Sequence, residues 1–74
     1  MNPNNEPLYL GQKNRLRKAI SERIYQLTDN QGARPALFRA LYGDLKQRYK
    51  VESYQSIKQR DFSDALNYIS KWGR

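Results

Sequence analysis

One stretch of the chain, residues 36–57, constrains the fold most, because its apolar residues change from one spacing to another near Lys50. Before Lys50 they recur every fourth position, as Leu37, Leu41, Leu45 and Tyr49. This is the spacing of one face of an α-helix. After Lys50 they stand at Val51, Tyr54 and Ile57. The change predicts a central helix followed by an extended or tightly turned segment that folds back across its apolar face.

Two other segments carry apolar residues at helical spacing. The first is residues 12–27, with Leu16, Ile20, Ile24 and Leu27 on one face. The second is residues 61–72, with Phe62, Ala65, Leu66, Ile69 and Trp72. Asp61 is expected to cap this last helix, with Asp64 as the acid of a capping box. Trp72 is expected either to close the core or to stack on a base or a partner.

The length of 74 residues suffices for one small domain, in which nearly every large apolar residue has to be used. Residues 1–10 contain two prolines and no helical period, which predicts a flexible N-terminal arm. Leu8, Tyr9 and Leu10 would let this arm dock on the body or on another copy. Residues 11–74 are predicted to form a single, mostly α-helical domain. It has three helices and a short extended or turn segment between helices 2 and 3.

Charge is the strongest compositional signal. Fourteen Lys and Arg residues against seven Asp and Glu give a net charge of +7. Such an excess attracts polyanions, which include nucleic acid, acidic proteins and anionic membranes. The charge alone does not choose among them, and it can also serve only solubility.

The composition also excludes several functions. The chain has no Cys and no His, so it lacks thiol nucleophiles, imidazole bases and zinc-finger ligands. The acids are scattered rather than paired, and we expect neither an enzyme nor a cofactor or metal. We expect no signal peptide, because the N-terminus lacks a basic start followed by an apolar core, and the apolar runs are only a few residues long. We therefore expect no membrane partner and a cytoplasmic location, in a bacterium or a phage-infected host cell.

Basic residues concentrate at three places. The predicted first helix has a basic face of Lys13, Arg15, Arg17 and Lys18, flanked by Arg23. Because cations in the first turns oppose the helix dipole, their position slightly favours a ligand-binding face over a face that is merely solvated. At the start of the second helix, Arg34 and Arg39 either hold an anion over free backbone amides or are simply exposed. The third group surrounds the end of that helix: Lys46, Arg48, Lys50, Lys58 and Arg60.

Residues 41–57 (LYGDLKQRYKVESYQSI) and 61–72 (DFSDALNYISKW) resemble the ORF6C domain found at the C-terminus of phage antirepressor proteins. Members of that family show L-Y-x-D-L-K-x-R-F-G-V, then S-Y-x-x-I, then F-x-x-A-x-x-[YF]-I-x-x-W. The matching residues are Tyr42, Asp44, Leu45, Lys46, Arg48, Val51, Ser53, Tyr54, Ile57, Phe62, Ala65, Ile69 and Trp72. The resemblance covers residues 13–72.

Two positions depart from the family pattern. Lys50 stands where the family usually has glycine, so a left-handed backbone there would cost on the order of 1 kcal/mol. Lys58 stands where a proline often follows the isoleucine. The family domain normally follows an N-terminal domain, so the chain is either an excised piece or a stand-alone relative.

The resemblance implies a non-catalytic role in phage regulation through repressor or DNA, and two hypotheses follow. In the first, the chain binds DNA, most simply double-stranded, with the three basic groups on phosphates and with Tyr54, Gln55 and Gln59 at base edges. In the second, exposed tyrosines and arginines bind a repressor protein or another copy of the chain. If the segment after helix 2 forms a short helical turn, it approximates a helix-turn-helix, and residues 52–59 would face a groove.

Overall fold

The fold consists of three α-helices, as seen in a computed structural model that describes residues 6–73. The helices are α1 (Leu10–Leu27), α2 (Arg34–Tyr49) and α3 (Phe62–Lys71). Within this part of the chain there is no strand, only an isolated antiparallel bridge between Pro7 and Lys58. The predicted mostly α-helical, three-helix fold class is therefore confirmed.

Local interactions explain where the helices begin and end. Helix α1 starts two residues before its predicted start, because the Gln12 side-chain oxygen accepts a 2.8 Å hydrogen bond from the Tyr9 amide. Helix α2 has Pro35 in its first turn, where the missing N–H is not needed. It ends where Lys50 takes a left-handed backbone, with φ 57° and ψ 46°.

The core lies between the three helices and receives two residues from non-helical segments. Its buried members are Leu8, Leu16, Ile20, Ile24, Leu41, Leu45, Ile57, Ala65 and Ile69. Leu37, Tyr49 and Trp72 are half-buried at its edge. The apolar residues at every fourth position therefore predicted the core face of α2. Trp72 packs against the core, as the first of its two expected roles required.

The segment between α2 and α3 forms two short 3₁₀ turns, Tyr54–Ser56 and Gln59–Asp61. The Ser53 hydroxyl accepts a hydrogen bond from the Gln55 amide at 3.2 Å and so begins the first turn. That turn contacts both α1 and α2. Of the two conformations left open by the sequence, the structure has the helical turn.

The N-terminal segment crosses the second turn. The Gln59 amide donates to the Glu6 carbonyl at 2.9 Å, and Leu8 is buried in the core. Tyr9 and Leu10 remain 72% and 73% exposed. Residues 1–5 lie outside the described residues, so the division into a flexible arm and a domain stays a prediction.

The predicted capping box of α3 is wrong. Asp61 makes no side-chain hydrogen bond to the start of the helix. The Asp64 carboxylate instead accepts hydrogen bonds from Arg48 and from the Tyr49 hydroxyl. Asp64 thus binds Arg48 and Tyr49 at the end of α2 instead of the backbone at the start of α3.

Candidate nucleic-acid interface

The cations of α1 lie on different sides of the helix, which corrects the prediction of a single basic face. Arg15 and Arg17 are two residues apart and so differ by about 200° around the helix axis. Arg15 lines a groove against α3 together with Leu66. Arg17 lies close enough to Tyr42 of α2 to affect its ionisation. Lys18 is exposed and points roughly opposite the buried stripe.

Arg23, predicted to flank the basic face, is buried instead, with only 7% of its surface exposed. Its Nε donates to the Trp72 carbonyl at 2.8 Å. Its Nη1 donates to the Gln26 side-chain oxygen at 3.1 Å. Arg23 therefore joins α1 to the end of α3 and is not available on the cationic surface.

Three aromatic rings form a ladder beside Arg17. Phe38 and Tyr42 are stacked one turn apart on α2, with ring centroids 6.1 Å apart. Tyr54, from the first 3₁₀ turn, stacks on Tyr42 at 5.5 Å with an interplanar angle of 25°. Burial raises the pKa of Tyr42 above its ordinary value, Tyr54 raises it further, and the positive charge of Arg17 opposes both.

Helical spacing places further cations around this ladder. Lys13 is one turn before Arg17 on α1, and Arg39 and Lys46 are three and four residues from Tyr42 on α2, so each is a surface neighbour. Gln55, exposed at the tip of the first turn, follows Tyr54. We call this set the tyrosine face. It comprises Lys13, Arg17, Arg39, Tyr42, Lys46, Tyr54 and Gln55.

The tyrosine face is cationic because few acids reach it. Across residues 6–73, none of its Lys or Arg side chains lies within 4 Å of a carboxylate. Asp44 accepts the indole N–H of Trp72 at 2.7 Å, on the side of α2 that faces α3. Glu52 is the acid beside it, next to Lys46 in a shallow surface groove.

Arg48 belongs to a different cluster, between α2 and α3. Its guanidinium lies 3.2 Å from Asp64 and over the Tyr68 ring at 4.6 Å. The Tyr49 hydroxyl donates to the same carboxylate at 2.6 Å. Burial and the bond to Asp64 raise the pKa of Tyr49 to about 12. Conversely, the hydrogen bonds from Tyr49 and Arg48 hold the pKa of Asp64 below its usual value.

This cluster removes Arg48 from the predicted phosphate-binding group. Its charge is shared with Asp64, and its hydrogen bonds are directed towards α3 rather than towards the tyrosine face. Lys50 is exposed next to it, in a shallow depression that also contains Tyr68. The predicted basic group at the end of α2 is therefore divided between two sides of the helix, with only Lys46 on the tyrosine face.

Arg34 and Arg39 do not converge on one anion. Arg34 lies over the Tyr25 ring at 4.4 Å, and its Nε is buried without a hydrogen-bond partner among the described residues. Arg39 is exposed five residues later, about 140° around the helix. The interpretation as two exposed arginines therefore fits Arg39 but not Arg34, which is half-buried.

Gln59, predicted to touch base edges, has a structural role instead. Its side-chain nitrogen donates to Gln12 at 2.7 Å and to the Pro7 carbonyl at 3.1 Å. Lys58 is exposed beside this contact, and Arg60 lies 3.7 Å from Asp61. Lys58 and Gln59 therefore lie against the N-terminal segment, and we leave Gln59 out of the interface.

Comparison with known proteins identifies the family. The family model described as "ORF6C domain" matches residues 2–74. The chain belongs to the ORF6C domain family. It is thus a phage-associated module, as the resemblance in its C-terminal half implied. No curated protein and no solved structure matches it at a significant level.

The ORF6C chain has a feature that the sequence analysis missed, the contact between Tyr42 and Tyr54. The sequence indicated Tyr42 only as one of the residues that match the ORF6C pattern. The spacing of Phe38 and Tyr42 indicates one step of the ladder, but the second step depends on the turn at Tyr54.

None of the helices in residues 6–73 combines the length and the apolar character of a membrane span.

Proposed function

We propose that this ORF6C domain is a non-catalytic regulatory module that binds double-stranded DNA through the tyrosine face. The observation that carries the proposal is that Arg17 acts electrostatically on a pair of stacked tyrosines, Tyr42 and Tyr54. Lys13, Arg39 and Lys46 are at neighbouring helical positions, and within residues 6–73 none of these four cations lies within 4 Å of a carboxylate. Unpaired cations on one side of a domain with net charge +7 produce a local positive potential, which attracts the phosphate backbone.

Each part of the tyrosine face has a role in this proposal. The four cations contact phosphates and set the orientation of the domain on the duplex. Arg17 is central, because it joins the α1 cations to the tyrosine pair. The exposed amide of Gln55 can donate and accept hydrogen bonds at base edges, as glutamine does with adenine. Tyr42 and Tyr54 keep the turn that carries Gln55 against α2.

The dependence of affinity on salt tests the proposal. If four phosphates are neutralised, the logarithm of the association constant for a random duplex should fall with the logarithm of salt concentration at a slope of about −3 to −4. Fluorescence anisotropy at several salt concentrations measures this slope. A slope near zero, or no binding at low salt, would contradict phosphate recognition.

A second candidate function is protein interaction, and the exposure of Tyr9 and Leu10 favours self-association. Leu8 is buried, but the two residues after it leave large apolar surfaces in water at the start of α1. If copies join there, Leu10→Ser should shift the mass in solution from dimer to monomer in sedimentation experiments. A repressor protein is the other partner that this function allows.

A further inference from the structure

A groove between α1 and α3 has features that the tyrosine face does not use. Its volume is about 200 Å³. Ala19, Leu66 and Ile69 make its apolar part. Arg15, Glu22 and Arg23 supply its charged groups. The groove thus combines an apolar surface with two arginines and one acid.

Arg23 is the unusual member of the groove, because it is a charged side chain that is more than nine-tenths buried. Both of its hydrogen bonds go to neutral acceptors, the Trp72 carbonyl and the Gln26 amide oxygen. No carboxylate of the described residues lies within 4 Å of it. Its Nη2 makes no hydrogen bond there and is not sealed from solvent, and the groove is the opening that Arg23 lines.

A buried guanidinium without a counter-charge is costly, and a carboxylate placed against it would remove that cost. Arginine presents its N–H groups in a planar fork that fits a carboxylate. Arg15, in the same groove, adds a second positive charge, while the three apolar residues suit an apolar side chain next to the carboxylate.

We propose that this groove binds a carboxylate that a partner protein presents beside an apolar side chain. The carboxylate accepts hydrogen bonds from Arg23 Nη2 and is attracted by Arg15, and the adjoining side chain packs on Ala19, Leu66 and Ile69. The carboxylate is the C-terminus of a chain that ends in an apolar residue, because its carboxylate and apolar side chain then share one Cα and fit a groove of about 200 Å³.

Two observations favour a protein over nucleic acid as the partner here. Glu22 lines the same groove, and it would repel a run of successive phosphates more strongly than one carboxylate. Arg15 and Arg17 also lie on nearly opposite sides of α1, since 200° in one direction equals 160° in the other. A duplex lying on the tyrosine face would therefore leave this groove open, and the domain could hold both partners at once.

The test uses small probes and the full chain, followed by two-dimensional NMR. N-acetyl-leucine carries a terminal carboxylate, and N-acetyl-leucinamide is its neutral match. We expect saturable shifts of the Arg23 Nε–H and of Ala19 and Ile69, with the acid binding about tenfold more tightly than the amide or better. N-acetyl-glutamyl-leucinamide carries its carboxylate on a side chain, and tighter binding of this peptide than of N-acetyl-leucine would overturn a C-terminal ligand.

Two substitutions test the groove while keeping Arg23, because loss of this buried side chain would destabilise the fold. Arg15→Gln should weaken binding of N-acetyl-leucine several-fold, and Lys18→Gln, on the outward side of the same helix, should leave it unchanged. Equal weakening by both would mean that only net charge matters and would overturn the site. Absence of saturable shifts, or inorganic phosphate binding as tightly as N-acetyl-leucine, would also overturn the proposal.

Discussion

At the scale of single residues, Lys50 ends helix α2 in a left-handed backbone conformation that is energetically unfavourable for a residue with a Cβ atom. It has the only positive φ among the non-glycine residues that the structure describes, at 57°. The Lys50 and Val51 amides both donate to the Lys46 carbonyl at the helix end. The family pattern has glycine here, which adopts this conformation without a clash between Cβ and backbone.

Lys50→Gly is therefore expected to raise the free energy of unfolding by about 1 kcal/mol. Lys50→Ala is the matched control, because it removes the same charge but keeps Cβ, and it should change stability by less than about 0.5 kcal/mol. Urea denaturation followed by circular dichroism measures both. Equal effects of the two substitutions would show that charge, not backbone strain, decides this position.

Tyr49 gives a prediction for alkaline pH. Its pKa is raised from 10 to about 12 in the folded protein, so the folded state holds the phenol proton more tightly than the unfolded state. The stability that this difference adds to the folded state is complete below pH 10 and is lost as pH rises towards about 12. Tyr49→Phe should therefore lose less stability than the natural chain between these pH values, as measured by denaturation at each pH. Parallel losses would contradict the assignment.

At the scale of elements, the segment between α2 and α3 is held by a single deeply buried side chain, Ile57. It fixes the path of the first 3₁₀ turn, on which the contact between Tyr54 and Tyr42 depends. The N-terminal segment adds to this by pairing Glu6 and Pro7 with the second turn. The turn is thus built from contacts distant in sequence.

Ile57→Ala should lower the free energy of unfolding by about 2 to 5 kcal/mol, because it leaves a cavity in the core. In a domain this small, that is a large part of the total stability. Gln55→Ala, at an exposed position two residues away, should have little effect. Thermal or urea denaturation distinguishes them, and a loss below about 1 kcal/mol for Ile57→Ala would mean that the segment is not anchored there.

The sequence predicted the elements better than it predicted the site, for a physical reason. Helical periodicity is a local signal, so Leu41, Leu45 and Ile20 could be assigned to the core from their spacing alone. Side-chain partners such as Asp64 with Arg48, or Gln59 with Gln12, join residues 16 and 47 positions apart. No local pattern contains those pairs. The separation of Arg15 from Arg17 could have been predicted from the sequence, because helix residues two positions apart do not face each other.

At the scale of the whole molecule, the excess positive charge is divided among several surfaces. Within residues 6–73, no cation of the tyrosine face is paired with a carboxylate. Arg17 of this face lies on one side of α1, while Arg15 lies on the other side with α3. Arg48 shares its charge with Asp64, and Arg23 is buried. Net charge alone therefore overstates the cationic surface that a duplex could contact, and the position of each arginine decides its role.

The most direct test compares two charge reversals on the same helix, Arg17→Glu and Arg15→Glu. Both change the net charge by the same amount, but only Arg17 belongs to the tyrosine face. In anisotropy titrations with a random duplex at low salt, we expect Arg17→Glu to weaken binding about tenfold or more, and Arg15→Glu several times less. Equal weakening by both variants would contradict a localised DNA-binding face.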